Sequence, residues 1–237
     1  MSKRVAVALR AAILLAAIVG GIEPAGAQPK AEAPENAIQQ HLIAGDLASA
    51  ASMAERLLHE REKRYGPEDT ETGLALNALG VVRLEQGRYR EAEPLLSKAL
   101  AIRTKASDED DAELARLLGN LGRAKQELSR FDAAEELFKR ALSIYASALV
   151  QPADVGHGFT NLGGLYLRQS RYAEAEEAYL TAFAAYKNAE RSAAGGSRLP
   201  WVAKSLNNLA NVYIDLAKYD EAESLLKQAV ETLERDF

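Results

Sequence analysis

Arg171-Tyr172-Ala173-Glu174-Ala175-Glu176 is one of four copies of a phrase that decides the fold. The others are Arg88-Tyr89-Arg90-Glu91-Ala92-Glu93, Arg130-Phe131-Asp132-Ala133-Ala134-Glu135 and Lys218-Tyr219-Asp220-Glu221-Ala222-Glu223. In each, a basic residue precedes an aromatic, and small and acidic residues follow. The aromatics stand 42, 41 and 47 residues apart. A period in that range means that each unit is one supersecondary element, which buries its apolar face against its neighbours instead of folding around a private core.

Each unit reads as two helices. Phe159, Leu162, Gly163 and Tyr166 lie at i, i+3, i+4 and i+7, one face of a helix. After Ser170 a second helix repeats the pattern with Tyr172, Ala175, Tyr179 and Ala182. The matching sets are Leu76, Leu79, Gly80 with Tyr89, Ala92, Leu96, Ala99; Leu118, Leu121, Gly122 with Phe131, Ala134, Phe138, Ala141; and Leu206, Leu209, Ala210, Tyr213 with Tyr219, Ala222, Leu226, Ala229. Glycine or alanine recurs where two helices must approach closely, opposite a large side chain. The pattern predicts helix pairs over 71–86/88–105, 110–128/131–149, 153–169/172–190 and 199–216/219–235, with a half-unit before them.

These positions resemble the tetratricopeptide repeat, over roughly residues 36–237. The spacing exceeds that repeat's usual 34 residues by about eight, two further helical turns per pair. Such long units, with Tyr65-Gly66-Pro67-Glu68-Asp69-Thr70 and Pro200-Trp201-Val202-Ala203-Lys204-Ser205-Leu206-Asn207-Asn208-Leu209-Ala210, are similar to the kinesin light chain type. The resemblance implies an all-α, right-handed superhelical solenoid of antiparallel helix pairs, about four full repeats plus an N-terminal half-repeat. It also implies a non-catalytic adaptor or scaffold that binds protein or peptide along a concave groove lined by the first helices.

Four departures stand out. The turn position that favours glycine holds Gly45 and Gly87, but Ser129, Ser170 and Ala217 in the later units. The large residue closing the first helix is Tyr166 and Tyr213 late in the chain, but Arg83 and Lys125 earlier. Leu47, Ala50, Ala54 and Leu57 match a second helix whose first helix spans only about Glu35 to Ala44, which reads as an N-terminal cap on the stack. The run from Arg191 to Arg198 reads as a polar insertion that stretches the last interval.

Residues 1–27 read as an export signal. Lys3, Arg4 and Arg10 precede an apolar stretch from Ala11 to Ile22, Pro24 breaks it, and Ala25-Gly26-Ala27 offers small residues to a signal peptidase. The apolar stretch is too short for the roughly 20 residues of a membrane span. Cleavage after Ala27 would expose Gln28 and give a periplasmic or secreted protein; retention as an anchor is the alternative. Residues 28–35, rich in Pro, Ala and Glu, read as a flexible leader.

The chain has 237 residues, net charge −5 and no cysteine. Losing residues 1–27, with three basic residues and one acidic, takes the charge to −7. Absent cysteine excludes disulfides, thiolate sites and a lipidated cysteine, and the acidic balance argues against nucleic acid. His41, His59 and His157 fall in different units without metal-ligand spacing, and no nucleophile or phosphate-loop motif is present. The expectation is therefore no enzyme, no cofactor and no metal.

The outward positions of the first helices are the candidate groove. They are Leu74, Asn77 and Val81 in the first unit; Arg116, Asn120, Arg123 and Glu127 in the second; His157, Asn161 and Arg168 in the third; and Lys204, Asn207, Asn208 and Asn211 in the fourth. Asn120, Asn161 and Asn208 hold one register position. Carboxamides donate and accept to an extended backbone, and the basic residues favour an acidic segment or a C-terminal carboxylate. The other functional reading is a self-assembling module, a weak homodimer formed through the uncapped C-terminal end, where Leu225, Leu226, Val230, Leu233 and Phe237 would lie.

Overall fold

In the computed structural model the described residues are 33–106, 112–147, 151–192 and 200–236. Among them are ten helices and no strand. They are α1 (Pro34–Ile43), α2 (Leu47–Tyr65), α3 (Thr70–Glu85), α4 (Tyr89–Ala106), α5 (Ala112–Glu127), α6 (Phe131–Ser147), α7 (Pro152–Arg168), α8 (Tyr172–Ser192), α9 (Trp201–Asp215) and α10 (Tyr219–Asp236). The predicted pairs are all present, each boundary within two residues of expectation. The leader and half-unit differ slightly: α1 already starts at Pro34, a residue suited to the first helical position because it lacks only an N–H that would be unbonded anyway. The export signal, most of the insertion after Ser192, and Phe237 lie outside the described residues. Among the described residues no helix is long and apolar enough to cross a membrane.

The chain forms two compact units, one carrying α1–α6 and the other α7–α10. In the first, α3 is the shared wall of two cores. Its Ala75, Leu79 and Val82 pack with Ile38, Ala50, Ala54 and Leu57, while its Leu76 and Leu84 join Ala92, Leu96, Ala99, Leu117 and Leu121. In the second unit, Ala203, Leu206 and Ala210 pack with Ala222, Leu226, Ala229 and Leu233, and Ala182 and Tyr186 meet Val202.

Four of the turns inside helix pairs share one hydrogen-bond pattern. Arg88, Arg130, Arg171 and Lys218 each donate their backbone N–H to the carbonyl five residues back, at 2.8–2.9 Å. The residue just before each, Gly87, Ser129, Ser170 or Ala217, has φ between +58° and +71°. The three turns lacking glycine thus adopt the same left-handed residue as Gly87, at a steric cost of about 1–2 kcal/mol each, with the shared hydrogen bonds holding it there. The basic residue of the recurring phrase then turns outward: Arg88 pairs with Glu91 at 2.7 Å and Arg171 with Glu174 at 2.6 Å.

Arg83 and Lys125 are accommodated by charge. Arg83, only 7% exposed, binds Glu55 of α2 and Gln86, and Lys125 binds Glu93 of α4 at 2.9 Å. Tyr213 does the equivalent with its hydroxyl, donating to Glu176 of α8 at 2.6 Å. Each closes its helix onto the second helix of the unit before it.

The recurring aromatics Tyr89, Phe131, Tyr172 and Tyr219 occupy equivalent places, but each is only half-buried. The buried large residues are Leu96, Phe138, Tyr179 and Leu226, seven positions further along. At the C-terminal end, Leu226 and Leu233 are buried in their own unit's core, and Leu225 and Val230 pack against it. The described part of α10 thus exposes no large apolar residue, Leu225 and Val230 remaining partly buried, while Phe237, the last member of the expected stripe, lies outside the described residues.

Candidate functional site

In the α1–α6 unit, α1, α3 and α5 together line an open groove of about 520 Å³. Its floor is apolar, with Leu42 and Ile43 from α1 and Leu74, Ala78 and Val81 from α3. Asn77 lies among them, and Arg116, Asn120 and Arg123 come from α5. Six of the sequence-predicted positions are thus brought together, Leu74 and Val81 included, while Glu127 is not among the lining residues. The contribution of α1 was missed because the half-unit reads as a cap; its exposed Ile43 was the available signal, since a capping helix has no reason to carry a large apolar residue in water.

The polar groups of this groove are engaged with one another. Asn120 donates from Nδ2 to Oδ1 of Asn77 at 3.1 Å, which joins α5 to α3. Arg123 pairs with Glu85 at 2.8 Å and Arg116 with Glu113 at 2.8 Å, both carboxylates belonging to the groove. Glu35, at the α1 edge, is held by Arg61 at 2.8 Å. Three acidic and two basic residues line the groove, so its own charge is −1. The amide pair still offers an acceptor lone pair and N–H donors, enough to hold a peptide backbone.

In the α7–α10 unit, His157, Asn161 and Arg168 share one stripe of α7, and Lys204, Asn207, Asn208 and Asn211 share one stripe of α9. The Oδ1 atoms of Asn207 and Asn211 are buried without a hydrogen-bond partner, so only part of each amide reaches the surface. His157 is more elaborately held. Its Nδ1 lies 2.9 Å from the Tyr186 hydroxyl, which lies 3.1 Å from Thr160 Oγ1. The Trp201 indole meets the imidazole edge-on, centroids 4.7 Å apart. One edge of the His157 ring reaches the surface, but desolvation by the rings packed on its other side holds its pKa below the ordinary imidazole value; Asp154 opposes that shift and Lys204 adds to it. Burial likewise pushes the Tyr186 hydroxyl up to about 12, so it stays protonated at neutral pH.

Tyr186, Thr160 and Trp201 were not expected from the sequence. The legible signal was Gly156, on the buried face of α7. A Cβ there would come within 2.5 Å of the Tyr186 ring, so glycine marks the place where that ring lies flat on the helix. Among the described residues no cluster of His, Asp and Glu suited to a metal ion occurs.

A family model described as tetratricopeptide repeat matches residues 31–105, 71–147 and 158–235, and a second such model matches 120–190. No curated protein matches. Among solved structures, a candidate kinesin light chain of nearly identical TPR-like repeats from Podosopora anserina is 20% identical, with 85% of this chain and 94% of that one covered and a TM-score of 0.63. BtubC (BKLC) from P. vanneervenii is 20% identical, with 97% and 90% covered and a TM-score of 0.64. A Rap protein complexed with Competence and Sporulation Factor is 17% identical, with 84% and 52% covered and a TM-score of 0.72. At these identities the structures share the fold. With family matches running through both units, the chain belongs to the tetratricopeptide repeat family.

Proposed function

We propose that this protein is a non-catalytic adaptor that binds an extended segment of a partner protein in the α1–α3–α5 groove. The observation that carries this reading is the apolar floor of Leu42, Leu74, Ala78 and Val81 beside the Asn77–Asn120 amide pair. Apolar floor supplies affinity, and amides that accept and donate fix a main chain without reading its side chains. The Rap protein, similar in fold, is complexed with a factor of its own, which makes ligand binding on such a scaffold a reasonable precedent.

An acidic partner loses its support in this groove, because Arg116 and Arg123 already face Glu113 and Glu85. The partner that fits is extended, presents apolar side chains and carries little net charge. A displayed library of peptides selected against the full chain tests this. Val81→Glu puts an unpaired carboxylate on the floor and is expected to weaken the selected peptides more than about tenfold, the effect of roughly 1.4 kcal/mol; Asn77→Ala with Asn120→Ala is expected to weaken them less. The helical melt should hardly change, and added salt should leave binding nearly intact. Peptides indifferent to both variants would be bound elsewhere, and the groove reading would be wrong.

We further propose that the adaptor works in the periplasm or outside the cell. The basic start, the apolar stretch from Ala11 to Ile22 and Ala25-Gly26-Ala27 support export. The mature protein is expected to begin at Gln28; N-terminal sequencing that returns Met1 from a membrane fraction overturns this.

A further inference from the structure

The His157 cluster has a definite direction of hydrogen bonding. Thr160 Oγ1 donates to the Gly156 carbonyl at 2.8 Å, which uses its single proton. The bond between Thr160 and Tyr186 must then be donated by the tyrosine, which uses the single proton of that hydroxyl. The remaining contact, at 2.9 Å, requires Nδ1–H of His157 as donor to the tyrosine oxygen. A neutral imidazole holding its proton on Nδ1 carries a lone pair on Nε2. His157 is exposed at the surface, and among the described residues no hydrogen bond reaches Nε2.

We propose that His157 and Trp201 form a recognition site on the α7–α10 unit, in which Nε2 of His157 accepts a hydrogen bond from an uncharged N–H or O–H donor of an extended peptide while the indole packs against the adjoining apolar side chain. The charges around the imidazole select this class. Lys204 from α9 disfavours an ammonium donor, and Asp154, one turn earlier on α7, disfavours a carboxylate ligand. Desolvation among the packed rings favours the neutral imidazole, and the chain of bonds through Tyr186 and Thr160 sets which nitrogen faces outward. At the same register the other units carry Leu74, Arg116 and Lys204, none of which accepts a hydrogen bond. The site is therefore particular to the third repeat. Its occupant rests on the peptide-binding reading, but its tautomer does not.

Nitrogen-15 NMR of the full chain at neutral pH reads the tautomer directly. His157 is expected with its proton on Nδ1, and Tyr186→Phe, which removes the internal acceptor, should move it toward Nε2. A proton on Nε2 in the parent chain overturns the inference. Two substitutions separate the halves of the ring: His157→Asn keeps a donor near Nδ1 and loses the outward acceptor, whereas His157→Gln keeps an acceptor near Nε2. Trp201 is the single tryptophan of the chain, so its fluorescence reports occupancy by peptides selected from a displayed library. Affinity is expected to fall about tenfold or more in His157→Asn and to be largely kept in His157→Gln. Methylating the peptide's backbone nitrogens, or replacing its hydroxyl residues by alanine, tells which donor is used. A selection that yields no peptide distinguishing the two variants refutes the site. Val81→Glu should leave this fluorescence response unchanged, so failure of the groove and failure of the histidine site are read separately.

Discussion

Phe138→Ala should destabilise the α1–α6 unit by about 3–5 kcal/mol, the cost of truncating a fully buried aromatic into a cavity. Phe138 is 1% exposed and is the largest of the fully buried side chains among the described residues. Its ring lies against Gly122, where any Cβ would collide with it. With α5 already at closest approach, the helices have little room to collapse into the space left behind, which places the cost toward the upper end. Phe131→Ala, in the position that makes the repeat visible in the sequence, should cost about half as much, since that ring is only half-buried and part of its surface never leaves water. Denaturant midpoints of the two variants, followed by helical circular dichroism, check the order. Equal losses would mean that the aromatic of the recurring phrase, and not the residue seven positions later, anchors each unit.

That contrast marks how far the sequence could be read. Register, helix pairing and the closest-approach positions were legible because they are periodic: Gly80, Gly122, Gly163 and Ala210 recur with the same neighbours. Burial depth was not, since a repeating aromatic looks like an anchor whether its ring is covered or half in water. The same limit applies to the charged departures. Arg83 and Lys125 read as breaks in the pattern, and only the fold shows Glu55 and Glu93 arriving from the preceding second helices to pair with them. In the groove, Asn77, Arg116, Asn120 and Arg123 were found because they lie on the outward stripes of amphipathic helices. Their engagement with Glu85, Glu113 and one another depends on distances between helices, which no one-helix periodicity contains. The Tyr186–His157 link is the extreme case, joining residues 29 positions apart; Tyr145 holds the same register in the second repeat, but Arg116 stands there in place of the histidine.

Gly163→Ala tests the packing rule that makes the repeats interchangeable. Alanine is the better helix former by about 1 kcal/mol, so an exposed glycine replaced this way would stabilise the chain. Here the added Cβ would come within 2.8 Å of two atoms of the Tyr179 ring, closer than real Cβ contacts. Tyr179 is 4% exposed and has no open direction in which to move. Overpacking typically costs about 1–3 kcal/mol, which outweighs the propensity gain, and a net loss on the order of 1–2 kcal/mol is expected. The fourth repeat shows the compensating pair, with Ala210 and Leu226 sharing one core. Tyr179→Leu alone should also destabilise, because the smaller side chain leaves a void opposite Gly163. Combined with Gly163→Ala, the void receives the new methyl group, and the double variant should be more stable than the sum of the single losses predicts by about 1–2 kcal/mol, within the range seen for residues in direct contact. Thermal and denaturant unfolding of the parent, both single variants and the double variant supply the cycle. If the losses simply add, the close approach of α7 to α8 is not set by the size of the side chain facing Gly163, and the alternation of small and large residues along the repeats does not determine how closely each pair of helices packs.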